Sequence, residues 1–143
     1  MSVAALLNTK GQEIISLKAT DSMAVAVSTL CSNKIGAVVV LDEKGTLQGI
    51  LSERDVMHGL GDSGGGVLDE NVSDLMTASV ETCSRDDSVE SIMRRMTEGR
   101  FRHVPVMDGD ALVGMVSIGD LVKFRMKELE NEANAMRDYI AGG

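Results

Sequence analysis

The chain has 143 residues, the length of one ordinary domain, and its 43% apolar and 25% charged residues are a globular composition. A formal net charge of −8 repels nucleic-acid phosphates and anionic lipid, and one Tyr, two Phe and no Trp leave no row of aromatics on which single-stranded bases could stack. No apolar run nears the ~18 residues of a membrane span, so neither nucleic acid nor membrane is expected as a partner.

Residues 1–13 read as an N-terminal segment. Met1-Ser2-Val3-Ala4-Ala5-Leu6-Leu7-Asn8 carries no basic leader, and its apolar stretch is too short for a secretory signal, which predicts a cytoplasmic protein. Residues 14–60 form a first unit. A short strand near 14–18 precedes a helix that starts after Asp21-Ser22-Met23 and buries Val25, Val27 and Leu30. Gly36-Ala37 leads into Val38-Val39-Val40-Leu41, a β-branched run suited to a strand covered on both faces. Asp42-Glu43-Lys44-Gly45 turns the chain into a second strand, Leu47 to Leu51, after which Ser52-Glu53-Arg54-Asp55 opens another helix.

Residues 61–73, with Gly64-Gly65-Gly66, read as a flexible linker rather than a packed element. The formal GxGxxG at Gly59, Gly61 and Gly64 follows a helix, not a strand, so it is no dinucleotide fingerprint.

The second unit, 74–126, repeats the first. Asp87-Ser88-Val89 answers Asp21-Ser22-Met23, and Arg102-His103-Val104-Pro105-Val106 answers Gly36-Ala37-Val38-Val39-Val40. Gly114-Met115-Val116-Ser117-Ile118-Gly119-Asp120 answers Gly49-Ile50-Leu51-Ser52-Glu53-Arg54-Asp55. Ser88 lies 66 residues after Ser22 but Asp120 only 65 after Asp55, so one residue is missing, and the shorter turn Asp108-Gly109-Asp110 is where it is lost. A strand near 80–82 and a capped helix, Asp87-Ser88-Val89-Glu90, with Ile92, Met93 and Met96 buried, complete the correspondence. Residues 127–143 are a helical tail with Leu129, Ala133, Met136 and Ile140 on one side, a stripe that needs covering by its own body or a partner. A unit of roughly 60 residues is marginal alone. The prediction is therefore a mixed α/β (α+β) fold: two β-α-β-β-α repeats packed as a pseudo-two-fold pair, with a C-terminal helical extension.

Chemistry concentrates in the repeated Ser-x-x-Asp, at Ser52/Asp55 and Ser117/Asp120, which sets a hydroxyl and a carboxylate at a strand-to-helix junction. A helix cap with no ligand uses the same residues. A helix N-terminus also suits phosphate, and a neighbouring carboxylate accepts hydrogen bonds from a ribose diol, so the two roles are compatible. Arg94, Arg95, Arg100 and Arg102 cluster before His103 in an otherwise acidic chain. Arg94 and Arg95 suit a solvated helix face, whereas Arg102 and His103 enter a strand whose end should meet the Ser117 turn. The first repeat has Gly36-Ala37 there and Arg54 where the second has Gly119, so the two sites are unequal, and the one lined by second-repeat residues should favour phosphate more strongly.

Cys31 and Cys83 show no CxxC spacing, which argues against a disulfide framework or a zinc site, though Arg85 beside Cys83 is placed to lower a thiol pKa. His58 and His103 are the only imidazoles, and no Cys-His, Ser-His or paired-carboxylate arrangement is evident, so no catalytic residue or catalytic cofactor is assigned.

The ordered set of Gly-Ala-Val-Val-Val, Ser-Glu-Arg-Asp, Asp74-Leu75-Met76-Thr77, Arg-Phe-Arg-His-Val-Pro-Val and Ser-Ile-Gly-Asp resembles a tandem cystathionine β-synthase (CBS) domain pair, the Bateman module, over about residues 14–124. The blend is similar to a stand-alone bacterial and mitochondrial subgroup. The resemblance implies a non-enzymatic sensor that binds adenosine-containing ligands such as AMP, ATP, NAD(H) or S-adenosylmethionine in clefts between the repeats, pairs into a disk-like homodimer and acts on an unknown protein target. It further implies that Asp55 and Asp120 hold ribose hydroxyls, Ser52 and Ser117 the ribose or phosphate region, and Arg102 with His103 the phosphate, with Lys18 and Thr82 on the adenine or phosphate side. Gly36, Ala37, Arg54, Val104, Pro105 and Gly119 complete the expected lining. Gly36, Val39 and the glycine-rich linker depart from the family pattern. A ligand-independent interaction or dimerisation scaffold, with Ser-x-x-Asp serving only as caps, is the alternative.

Overall fold

The computed structural model describes residues 2–11 and 13–142; Met1, Gln12 and Gly143, which belong to the N-terminal segment and the tail, lie outside them. Each repeat builds one three-stranded sheet. In the first, β1 (Ser16–Leu17) pairs in parallel with β2 (Ala37–Leu41), which returns antiparallel as β3 (Leu47–Ser52). In the second, β4 (Cys83–Ser84), β5 (His103–Asp108) and β6 (Ala111–Ser117) do the same. The registers correspond: Ala37 faces Ser52 and His103 faces Ser117, and both hairpins shift register at the equivalent step, Val40/Leu41 and Val106/Met107. Residues 38 to 40 are fully buried, as a strand covered on both faces requires. The missing residue lies in the second hairpin turn, where Gly109 at φ +62° closes it and Gly45 at φ +80° closes the longer first one.

Serine caps begin the helices that follow. Ser22 accepts from the Val25 amide ahead of α2 (Met23–Asn33), and Ser88 accepts from the Ser91 amide ahead of α5 (Val89–Gly99). Lys34 and Arg100, both left-handed, end these helices at equivalent places and turn the chain into the central strands. Three local expectations are corrected. Val25 is exposed and Val27 only half-buried; α2 instead buries Met23, Ala26 and Leu30, because its first turn meets the core one step earlier. Glu90 does not reach back to cap α5 but lies 3.8 Å from Arg125 on the last helix. The strand expected at 80–82 falls at Cys83–Ser84, where the chain runs beside Val106 and Met107.

The two cores are built crosswise. Helix α1 (Val3–Lys10) opens the chain, yet its Val3, Leu6 and Leu7 join the second-repeat core of Cys83, Val89, Ile92, Met96, Val104, Val106, Val116 and Leu121. The connection after α3 (Glu53–Ser63) packs on the first repeat: Val67, in a 3₁₀ turn over Gly64–Asp69, and Val72, opening α4 (Val72–Leu75), join Leu17, Met23, Ala26, Leu30, Val38, Val40 and Leu51. The stretch 61–73, expected to be a flexible linker, is thus a packed connection, because one valine after the three glycines finds a core to enter. Gly59 makes room for it, since a Cβ there would collide with the Leu75 and Val67 side chains. Helix α6 (Ile118–Gly142) starts on the second repeat through buried Leu121, and beyond Glu128 every described residue of it is exposed.

Candidate functional site in two clefts between the repeats

Because the repeats are related by a pseudo-two-fold axis, each cleft takes the helix N-terminus of one repeat and the strand entry of the other. The first, of about 350 Å³, is lined by Ser52, Glu53, Arg54 and Asp55 at the start of α3, by Thr77, Ser79, Val80 and Glu81 entering the second repeat, and by Arg100, Phe101, Arg102 and His103. The second, of about 330 Å³, gathers the counterparts: Ser117 and Asp120 at the start of α6, Glu13, Ile14 and Ile15, and Lys34, Ile35, Gly36 and Ala37. Gly36, Ala37 and His103 line both. A Cβ on Gly36 would stand 3.4 Å from the His103 ring, an ordinary contact, so the two residues adjoin in the shared wall.

Each Ser-x-x-Asp is a reciprocal cap. Asp55 Oδ2 accepts from the Ser52 amide at 2.9 Å and its hydroxyl at 3.1 Å, while Ser52 Oγ accepts from the Asp55 amide at 3.2 Å. Asp120 Oδ2 accepts from the Ser117 amide at 2.9 Å, and Ser117 Oγ accepts from the Asp120 amide at 3.1 Å. These bonds fix both half-exposed carboxylates through their Oδ2 atoms. Asp120 has a further partner: Lys10 Nζ donates to its Oδ2 at 2.6 Å and to the Met115 carbonyl at 2.6 Å. Burial raises the Asp120 pKa, but the Lys10 ammonium and the Ser117 donors outweigh it and hold the carboxyl below its ordinary value. His103 is pushed below its ordinary value by burial, against the pull of Glu53 and Asp120, so it enters the clefts as a neutral ring near pH 7.

The sequence-predicted residues are distributed as follows. Ser52, Arg54, Asp55, Arg102 and His103 meet in the first cleft with Gly36 and Ala37; Ser117 and Asp120 meet in the second with His103. Arg102 therefore lines the cleft of the first-repeat Ser-x-x-Asp, where the cations gather, while the end of its strand meets the Ser117 turn. Its own carbonyl reaches that turn, accepting from the Ile118 amide at 2.8 Å. Lys18 and Thr82 line neither cleft. The Lys18 amide donates to the Asp21 carboxylate ahead of α2, and the Thr82 carbonyl accepts from Arg95 in the middle of α5. The lining on those segments comes earlier, at Glu13 to Ile15 and Ser79 to Glu81. Val104 and Pro105 are buried in β5, and Gly119 lines an apolar groove with Ile118, Val122 and Met126. Cys83 is no activated thiol: burial and Asp87 raise its pKa to about 11 against the pull of Arg95. Sequence reasoning missed Lys10 and Lys34, and named Arg100 only as one of the arginine cluster. The left-handed turns at Lys34 and Arg100 could have been found from their matching places before the two central strands; Lys10 had no repeat partner to mark it.

Two β-α-β-β-α units sharing paired clefts define a tandem α+β repeat, and the CBS domain family matches residues 5–62 and 72–127. The chain belongs to the CBS domain family. It is 41% identical to the CBS-domain containing protein ATU1752 from Agrobacterium tumefaciens, with a TM-score of 0.85 over 87% of this chain and 99% of that one. It is 34% identical over 127 residues to the mitochondrial CBS domain-containing protein CBSX3 of Arabidopsis thaliana, covering 86% of this chain and 62% of CBSX3. At 23% identity the same fold, with a TM-score of 0.80 over 90% of this chain and 98% of that one, occurs in the CBS domain pair of protein MJ0100, whose structure is a complex with 5′-methylthioadenosine and S-adenosyl-L-methionine. Among the described residues no helix is long and apolar enough to cross a membrane.

Proposed function

We propose that the chain is a non-catalytic regulatory module that binds an adenosine-containing ligand of the AMP, ATP or NAD(H) class and relays its occupancy to a protein target. The observation that carries the reading is the first cleft, where a capped carboxylate for a ribose diol and the cations Arg54, Arg100 and Arg102 share one space. The adenosine compounds on MJ0100 support the ligand class. In the first cleft the base has the aliphatic Ile50 and Val80 and the Phe101 ring to lie against. Binding across two repeats favours one relative orientation of the halves, which is how occupancy would reach a partner. The same proposal includes a homodimer, discussed below, and a cytoplasmic site of action, where adenine nucleotides are the ligands on offer.

Calorimetric titration with AMP, ATP, NAD⁺, NADH, S-adenosylmethionine and GTP tests it. A selective response to adenosine compounds is expected, and Asp55→Ala should weaken the tighter site about ten- to hundredfold, the scale of a lost charge-assisted hydrogen bond. Unchanged affinity in Asp55→Ala would remove that carboxylate from the site. Arg102→Ala should cost AMP more than adenosine; equal losses would deny it a phosphate role.

A further inference from the structure

We infer that Lys10 is a tethered competitor for Asp120, which makes the second cleft open only to ligands that offer its ammonium a replacement anion. The inference rests on the adenosine reading and adds a specificity residue to it. Both clefts carry the same Ser-x-x-Asp cap, but the Asp120 carboxylate also holds a cation from outside its cap. Asp55 Oδ2 is engaged only by its own Ser52, whose hydroxyl is free to turn toward an incoming group. Asp120 Oδ2 already accepts from the Ser117 amide and from Lys10, which occupies both of its in-plane lone pairs. A vicinal diol seeking both oxygens of Asp120 must displace the ammonium.

The tether is built into the fold. Lys10 is the last residue of α1, and Val3, Leu6 and Leu7 anchor that helix in the second-repeat core, so the ammonium is held at the cleft. It also donates to the Met115 carbonyl, at the position equivalent to Ile50. In the first repeat that position is bonded instead to the Thr77 backbone, through two bonds of 2.9 and 3.0 Å that bring no charge. A neutral nucleoside gives Lys10 nothing in exchange for Asp120, whereas a nucleotide brings a phosphate that the ammonium can take. The second cleft should therefore discriminate AMP from adenosine more sharply through Lys10 than its own lining would.

Titration of adenosine and AMP into the full chain carrying Asp55→Ala, which disables the first cleft, reports the second. In that background Lys10→Met should tighten adenosine about three- to tenfold, as suits a partly exposed pair, and shrink the advantage of AMP. Lys10→Gln should act in the same direction. Raising ionic strength should tighten adenosine, itself uncharged, in the Lys10 protein and leave the Lys10→Met protein unmoved. Weaker AMP binding with adenosine unchanged would make Lys10 a plain phosphate contact and overturn the competitor role, as would identical affinities for both ligands in both proteins. Asp120→Ala, with the first cleft intact, supplies the control: adenosine binding retained there while Lys10→Met does nothing sinks this inference alone. No binding in either cleft sinks it together with the adenosine reading.

Discussion

His103 stands in the wall common to both clefts and is held neutral by burial, with Glu53, Asp120, Lys10 and Arg102 around it. Its folded pKa lies below the unfolded value of about 6.5, so as pH falls the unfolded chain takes up the proton first. The stability tied to the neutral ring is complete above that value and lost below it. Thermal midpoints measured from pH 8 to 5 should therefore decline, and His103→Gln should flatten the part of the decline that sets in below about pH 6.5; an identical slope in both proteins would contradict the assignment. Asp120 acts in the same direction at lower pH, its pair with Lys10 being lost as the carboxyl protonates. Ser52, Asp55, Ser117 and Asp120 were legible from the sequence because the capping pattern repeats. Which cleft Arg102 enters was not legible, because a repeat alignment matches residues within a unit and cannot tell which unit's helix each strand entry will face.

At the scale of elements, the hairpins and their central strands were readable, since a β-branched run, a turn residue and a register all agree. The short segments were not. α1 has no periodic stripe longer than two turns, and a 3₁₀ turn after three glycines carries no local signal that Val67 will be wholly buried. Their packing is decided by apolar positions on the distant repeat. Leu7 illustrates the consequence, for its Cδ2 sits where a Cβ on Gly114 of β6 would lie 2.9 Å away. Leu7→Ala is expected to cost about 2 to 5 kcal/mol in chemical denaturation, the scale of a core leucine, although it stands in the first turns of the chain. A loss below 1 kcal/mol, roughly what a surface change gives, would mean that α1 is only loosely docked.

For the whole molecule, the exposed apolar residues gather on the two helices that follow the hairpins. Met57 and Leu60 are exposed on α3, and Val122 and Met126 on α6, where Ile118, Gly119 and Val122 form an apolar groove. Equivalent helices of a pseudo-symmetric pair lend themselves to a two-fold contact with a second copy, each α3 and α6 meeting their counterparts. The chain should sediment at twice its mass, and Met57→Glu combined with Met126→Glu should return it to the monomer while leaving AMP binding to the first cleft in place. A native monomer would remove the homodimer from the proposal. Leu129, Met136 and Ile140 continue along α6 beyond the body, so truncating the chain after residue 126 asks whether the tail adds to that contact.

The crosswise packing also bears on how the chain is made. On the ribosome, the apolar face of α1 emerges well before the strands and helices it docks on, which reach from Cys83 to Leu121. At about 5 to 20 residues per second, Val3, Leu6 and Leu7 wait on the order of 5 to 25 seconds for their site. The first repeat, meanwhile, closes only once Val67 and Val72 have followed it out. Synthesis therefore completes the first core while α1, which belongs to the second, is still unhoused.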